Sequence, residues 1–130
     1  MVFGTCGWKL AGEPSCDVKD LNVEAVGYGV IPLWQQPGGT QFGWTGLRNM
    51  AKTNIKGLTK ANILYNQYAN ATGDGGACFG DSGSPQFVAG SWMIISVTSG
   101  GDVNCRAHNY NYRLDTPQAR SFLGQFLDLP

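Results

Sequence analysis

The pattern of apolar and polar positions predicts short β-strands separated by glycine-containing turns. Residues 23–34 are rich in β-branched and aromatic side chains, which is typical of a strand, and residues 44–55 and 60–67 predict a second and a third. The segment 35–43 contains proline and glycine and predicts the turn between the first two strands. Gly57 is expected to break the second strand.

The second half of the chain continues this pattern after a long loop. Residues 68–84 are rich in glycine, and loops of this length inside compact domains are usually functional or disordered. Residues 85–90 and 91–99 predict a hairpin that bends at Gly90, and residues 109–116 predict a last strand. We therefore expect about six strands in all.

The C-terminal end has helical periodicity instead. Thr116 is a residue type that caps helices, and Pro117 fits the first helical position. The apolar residues that follow recur at helical spacing, and they are Phe122, Leu123, Phe126 and Leu127. A short amphipathic helix is therefore expected to close the chain.

Composition favours an all-β protein with one domain. A length of 130 residues suits a single compact domain, which we place at 21–130 after an irregular segment at 1–20. The 19 glycines are about twice the usual share and have no fixed period. Such a distribution is typical of many tight turns between short strands.

Charge and hydropathy exclude two classes of partner. Nine basic and nine acidic side chains give a formal net charge of zero, and no basic run is present, so the charge pattern of a nucleic-acid-binding protein is missing. No apolar run approaches the roughly eighteen residues that a membrane-spanning helix needs. We expect neither nucleic acid nor a membrane as a partner, and no residue pattern predicts a cofactor.

The cysteines indicate an oxidising environment. There are four, Cys6, Cys16, Cys78 and Cys105, and no CxxC spacing occurs that would favour a zinc ribbon. An even number at wide spacing favours two disulfides, and hence a secreted protein or another oxidising compartment. The first residues nevertheless lack the basic start and long apolar stretch of a secretory signal.

The segment "ACFGDSGSP", residues 77–85, carries the clearest chemistry. It places Asp81 and Ser82 between two glycines, which is typical of a strained turn that presents a hydroxyl group. A serine hydroxyl is a poor nucleophile without a neighbouring base. The chain has a single histidine, His108, so the source of a base is an open question.

This segment resembles the GDSGGP motif of trypsin-like serine proteases, with Ser84 in place of a glycine. Residues 25–30 are similar to the strand that opens the second barrel of that family, and 94–101 to the strand that lines its substrate groove. Residues 109–127 resemble the closing strand and terminal helix, particularly those of bacterial secreted members. The resemblance covers about residues 21–128 and implies a single six-stranded antiparallel β-barrel with a short C-terminal helix.

The resemblance also implies roles for the residues of this loop. Ser82 would be the nucleophile, and the backbone N–H groups of Gly80 and Ser82 would form the oxyanion hole that binds the negative charge of the intermediate. Asp81 would hold the hole in shape by pairing with a buried cation. Here either Arg106 or Arg113 is expected to supply that cation, or the hole is loosely held.

A substrate groove and two disulfides follow from the same resemblance. Thr98, Ser99 and Gly100 match the strand that binds the substrate backbone by β-pairing. Gly76 stands where trypsins have their specificity aspartate, so a preference for Lys or Arg is not implied. In the family a disulfide joins the positions of Cys78 and Cys105, which leaves Cys6 and Cys16 for a local bridge.

Two further interpretations concern His108 and metals. His108 lies three residues after Cys105, so it is either a histidine of a surface loop, which we favour, or a replacement base for Ser82. One histidine with scattered carboxylates is a weak signal for zinc, which usually has three protein ligands at a catalytic site. We assign no metal ligand.

The leading hypothesis is a truncated serine hydrolase acting on peptide or ester bonds, because the sequence resembles the second barrel without the barrel that carries the catalytic histidine and aspartate. The alternatives are a non-catalytic binding module on the same fold and a metal-assisted hydrolase on the re-used barrel. A homodimer is also expected, since the side that the first barrel covers in the family should expose apolar surface. Aromatic candidates for that surface are Trp34, Phe42, Trp44 and Trp92.

Overall fold

The computed structural model describes residues 21–129. The predicted irregular segment 1–20 lies outside the described residues, and so does the predicted bridge between Cys6 and Cys16. No helix within the described range is both long enough and apolar enough to cross a membrane.

Eight strands and two short helices form within the described range. The strands are β1 (Asn22–Gly27), β2 (Ile31–Gln36), β3 (Gly39–Gly43), β4 (Asn49–Leu58), β5 (Asn62–Asn66), β6 (Pro85–Val88), β7 (Ile94–Gly101) and β8 (His108–Arg113). The helices are α1 (Ala69–Thr72) and α2 (Pro117–Leu123). Six strands close an antiparallel barrel in the order β1–β4–β5–β8–β7–β6, and β2 pairs with β3 in a separate hairpin. The predicted fold class is confirmed.

The predicted first strand, 23–34, is in fact two strands. Its interruption has a tertiary cause, because two backbone N–H groups in the gap bond to the loop that contains Ser82. Gly29 N–H donates to the Asp81 carboxylate, and Val30 N–H donates to the carbonyl oxygen of Phe79. These N–H groups are therefore unavailable to a neighbouring strand.

Several other boundaries differ from those predicted. The second predicted strand begins at Asn49 instead of residue 44, and the last ends at Arg113 instead of residue 116. The segment 35–43 is mostly strand, since it holds the end of β2 and all of β3. The prediction that Gly57 ends the second strand is wrong, because β4 runs on to Leu58. The pairing of β4 with β5 shifts its register between Ile55 and Gly57, and a bulge of this kind accommodates a glycine without ending the strand.

The two sides of the barrel interior differ in chemistry. One apolar cluster, with members mainly from β1, β4 and β5, consists of Val23, Ile55, Ile63, Tyr65 and Ile95. Strands β6, β7 and β8 instead bury polar side chains, namely Gln86, Ser96, Thr98, Asn109 and Asn111. We call these sets the apolar cluster and the polar cluster. The Tyr65 hydroxyl and Ser96 Oγ join them through a hydrogen bond of 2.9 Å.

The predicted C-terminal helix forms with the predicted start. Thr116 Oγ1 accepts a hydrogen bond from the N–H of Ala119 at 3.2 Å, and Pro117 occupies the first turn. The expected apolar face is poorly buried, however, since Phe122 is 61% and Phe126 is 70% exposed. Their rings contact each other, with centroids 5.4 Å apart, and the residue of the helix that the barrel buries is Ala119.

Candidate active site

The loop around Ser82 is built from two consecutive turns. The N–H of Asp81 donates to the carbonyl oxygen of Cys78 at 3.0 Å, and the N–H of Ser84 donates to that of Asp81 at 2.9 Å. Gly80 has a φ of +95°, a backbone conformation that residues with a side chain rarely adopt. As a result, Ser82 lies at an exposed tip of the loop.

The carboxylate of Asp81 points inward and fixes the loop from below. Its Oδ1 accepts from the N–H of Gly29 at 2.7 Å, and its Oδ2 accepts from the N–H of Cys78 at 2.9 Å. A Cβ atom would lie only 1.9 Å from an Asp81 oxygen at position 27 and 2.4 Å from one at position 29, so both positions require glycine. The sequence analysis missed the roles of Gly27 and Gly29, although their spacing inside an apolar stretch was a visible signal.

The expected cation beside Asp81 is not supplied by the predicted arginines. A guanidinium N–H of Arg106 donates to the carbonyl oxygen of Leu33, in the β2–β3 hairpin. Arg113 instead forms an ion pair with Asp115, with N and O atoms 2.8 Å apart. Within residues 21–129 the Asp81 carboxylate accepts hydrogen bonds from the backbone N–H groups of Gly29 and Cys78, which solvate its charge.

The loop is attached to β7 by backbone hydrogen bonds. The N–H of Gly83 donates to the carbonyl oxygen of Thr98 at 2.8 Å, and the N–H of Thr98 donates to that of Ser84 at 2.9 Å. Ser99 and Gly100 continue the same strand, so the predicted groove residues start beside the serine loop. On their other side they face β8, where Gly100 pairs with Tyr110.

The disulfide between Cys78 and Cys105 is confirmed. Their Cα atoms are 5.3 Å apart, and the bond joins the serine loop to the segment between β7 and β8. A disulfide at this point fits an oxidising compartment. Gly76, the predicted pocket residue, lies close to Gln67, since a Cβ at position 76 would be 2.2 Å from Gln67 Oε1.

Asp102 organises the segment that carries Cys105, and the sequence analysis did not assign it a role. Partial burial of Asp102 acts to raise the pKa of its carboxyl group, but hydrogen bonds from the backbone N–H groups of Ala107, His108 and Arg106, and from the Gln67 amide, lower that pKa to about 2. Aspartate in a glycine-rich turn often accepts such bonds, which is the signal that was available in the sequence.

His108 is the first residue of β8 and does not lie beside Ser82. Its backbone N–H donates to Asp102, and its ring contacts the ring of Tyr110, with centroids 5.5 Å apart. Within residues 21–129 no hydrogen bond joins His108 to Ser82, and the Ser82 hydroxyl has no basic side chain as a partner. The described part of the chain also contains no group of three or more His, Cys, Asp or Glu side chains arranged to hold a metal ion.

A cavity of about 690 Å³ adjoins the inner side of the serine loop. Its wall includes Asp81 and Cys78 from the loop, Gly29 from the gap between β1 and β2, and Gln67 and Arg106 from the opposite side. Ser82 does not line it. The Asp81 carboxylate therefore adjoins this cavity, whereas the candidate nucleophile faces solvent.

Comparison with known proteins gives one result that bears on this geometry. A search of curated proteins finds no match. The family model described as Trypsin matches residues 22–122, which is most of the chain and includes the serine loop, the groove strand and the disulfide. Together with the closed six-stranded barrel and the turn around Ser82, this match shows that the chain belongs to the trypsin family.

Proposed function

We propose that this protein is a serine hydrolase that acts on peptide or ester bonds, with Ser82 as its nucleophile. The backbone N–H groups of Gly80 and Ser82 form the oxyanion hole in this proposal. Asp81 acts indirectly, as the residue that keeps the loop in shape.

The observation that carries the proposal is the way the loop is held. The Asp81 carboxylate binds two N–H groups, and Gly80 adopts a positive φ that aims its own N–H. Preorganised donors of this kind stabilise the negative charge of an acyl-transfer intermediate, and loss of one donor typically costs about 10²–10³ in rate. Ser82 follows this held segment directly and is exposed, so its hydroxyl lies at the accessible end of the loop.

The described residues supply no general base for Ser82. An oxyanion hole and a binding groove alone retain about 10³–10⁴ of rate acceleration over water when triad members are absent. This suffices for an ester with a good leaving group and is too little for a peptide bond. We therefore propose that peptide hydrolysis needs a base from outside residues 21–129, such as a barrel with a catalytic histidine or a second copy of the chain.

A test of the proposal compares the protein with a Ser82→Ala variant. The expected result is covalent labelling of Ser82 by a fluorophosphonate probe and an acyl-enzyme burst with an activated ester, both lost in the variant, while the slower hydrolysis supported by the oxyanion hole alone remains. His108→Ala should retain most of this hydrolysis, because the histidine does not contact Ser82. Loss of turnover in His108→Ala alone would show that the roles are assigned incorrectly.

A non-catalytic binding module is the second candidate. The observation in its favour is the missing contact between Ser82 and a basic side chain within residues 21–129. In this candidate function an extended peptide would pair with β7 at Ser99 and Gly100, on the side away from β8, because the backbone N–H and carbonyl groups of Thr98 already bond to Ser84 and Gly83. Peptide binding that is unchanged in Ser82→Ala, without any labelling of the serine, would favour this candidate.

We also propose a secreted location and a homodimer. Several aromatic side chains near the serine loop are exposed, and Trp44 is 72% exposed with its indole N–H bonded to the carbonyl oxygen of Tyr28. Phe42 contacts Phe79 of the serine loop, with ring centroids 5.3 Å apart. Exposed apolar patches usually mark interaction surfaces. Light scattering at micromolar concentration should give twice the mass of the chain, and Trp44→Ser should shift the protein towards the monomer.

A further inference from the structure

Ser84 is the position at which this chain departs from the glycine of the family motif, and it makes three contacts in the loop. Its N–H donates to the carbonyl oxygen of Asp81, and its own carbonyl oxygen accepts from the N–H of Thr98. Its hydroxyl adds a third contact, because Ser84 Oγ and Thr98 Oγ1 are 3.0 Å apart. A glycine could make the first two contacts but not the third.

The contact with Thr98 continues into the polar cluster. Gln86 Nε2 donates to Thr98 Oγ1 at 2.7 Å, and the Gln86 side chain is completely buried. Because Thr98 Oγ1 accepts from Gln86, the remaining proton of Thr98 can be donated to Ser84 Oγ. The three side chains then form one directed series of hydrogen bonds, from inside the barrel to the serine loop, in which each bond polarises the next.

Removal of the Ser84 hydroxyl would affect more than one bond. Thr98 is buried, with 7% of the residue exposed, and its hydroxyl would lose its Ser84 partner. Thr98 is also the residue whose carbonyl oxygen holds Gly83, which follows Ser82. A shift of Thr98 is therefore passed directly to the backbone beside the candidate nucleophile.

We infer that Ser84 is a positioning residue for Ser82, and that Thr98 and Gln86 anchor it to the barrel. Its effect on reactivity rests on the proposed function, whereas its effect on the backbone of the loop does not. Replacing Ser84 by glycine restores the motif and yet should lower the reactivity of Ser82.

The main experiment measures the second-order rate constant for fluorophosphonate labelling of Ser82. In Ser84→Ala this rate should fall about fivefold or more, which is the size of effect expected when a partly buried hydrogen bond is lost. In Ser84→Gly the labelling rate should fall at least as far. Ser84→Thr keeps the hydroxyl, so its labelling rate should be nearly that of the unaltered protein. Ser121→Ala makes the same chemical change on α2 and should label at the normal rate.

Two further readouts separate positioning from simple stabilisation. In ester hydrolysis, Ser84→Ala should lower kcat more than it changes KM, because Gly100 of the groove keeps its pairing with Tyr110 in β8. A labelling rate and kcat equal to those of the unaltered protein, with only the melting temperature lowered, would overturn the inference.

Amide exchange makes the inference testable even if the proposed function fails. Absence of labelling in the unaltered protein contradicts the proposed function alone. In that case the test is the hydrogen-exchange rate of the Gly83 and Thr98 N–H groups. Ser84→Ala should raise both rates about fivefold or more, whereas Ser84→Thr should leave them unchanged. Equal exchange rates in Ser84→Ala and the unaltered protein would overturn the inference independently of any activity.

Discussion

The apolar cluster and the polar cluster share one barrel interior but are coupled to different parts of the molecule. Residues of the apolar cluster pack against one another and against the partly buried Leu21, Val88 and Met93. The polar cluster is joined to the serine loop, through Thr98 and its bonds to Gly83 and Ser84. The comparison indicates that one side of the barrel mainly stabilises the fold, while the other gives up some of that stability to position a loop.

Unsatisfied polar atoms support this interpretation. In the polar cluster, Gln86 Oε1, Asn109 Oδ1 and both amide atoms of Asn111 are buried without a hydrogen-bond partner among the described residues. Such atoms lower stability unless water reaches them. A barrel selected for stability alone would be expected to carry apolar residues at these positions.

The largest effect on stability is expected at two residues that face each other on neighbouring strands. Ile63 in β5 pairs with Asn111 in β8, and both side chains are completely buried. Ile63→Ala should lower the free energy of unfolding by about 2–5 kcal/mol, because it leaves a cavity in the apolar cluster. Asn111→Ala should cost about 1 kcal/mol or less, since its amide has no hydrogen bond to lose. Urea unfolding measures both values, and equal losses would contradict the division of the interior.

The disulfide should have the next largest effect, on the side of the serine loop. Cys78 and Cys105 are separated by 27 residues, and closure of a loop of that length is worth about 2–4 kcal/mol. The double variant Cys78→Ala/Cys105→Ala should lower the free energy of unfolding by this amount and slow the labelling of Ser82. Ile63→Ala serves as the control, because it should lower stability while folded protein is labelled at the normal rate. Equal labelling in the two variants would argue against a separate positioning role.

Two buried threonines give a smaller and more closely matched comparison. Thr98→Val leaves the buried Nε2 of Gln86 without its acceptor, so the expected loss in free energy of unfolding is about 1–3 kcal/mol. Thr53 lies in β4, where its hydroxyl donates to the carbonyl oxygen of Asn66. Thr53→Val should cost about 1 kcal/mol and leave the labelling of Ser82 unchanged. Thermal unfolding and the rate of Ser82 labelling are measured for both variants. Slower labelling in Thr53→Val would contradict the prediction that only the Thr98 hydroxyl affects the serine loop.

The smallest effect concerns pH. The pKa of Asp102 is lowered to about 2 in the folded protein, so its ionised form favours folding. This contribution is fully present above the unfolded pKa near 4 and is lost as the pH falls towards 2. Asp102→Asn should therefore flatten the decline in melting temperature between pH 4 and pH 2. Asp128→Asn, an exposed change near the C-terminus, is the control, and an unaltered acid decline in Asp102→Asn would contradict the assignment.

Part of the fold could be predicted because it depends on local residues. The cap at Thr116 and the proline at 117 define the start of α2 without any distant contact. The β-branched and aromatic segments likewise predicted where strands occur. Gly57 was misinterpreted because a glycine in a strand either ends it or forms a bulge, and the pairing with β5 determines which.

The division of the barrel interior was not predictable in the same way. Alternation along β8 indicates that Asn109 and Asn111 share a face, but asparagine is usually a surface residue, so the pattern favours the opposite side. Only closure of the barrel between β5 and β7 turns that face inward. The buried position of these amides is therefore a property of the strand order.

For the candidate site, the sequence by itself determined the turn around Ser82, because a turn with Gly80 and Gly83 is specified by residues next to each other. The tertiary structure decided what holds that loop. The Asp81 carboxylate accepts a hydrogen bond from the N–H of Gly29, 52 residues earlier in the chain, and the Ser84 hydroxyl is hydrogen-bonded to that of Thr98 in the barrel. Every residue except proline has the same backbone N–H group, so the sequence does not show which N–H will bond to a given side chain. The partner is determined only when the strands have closed the barrel.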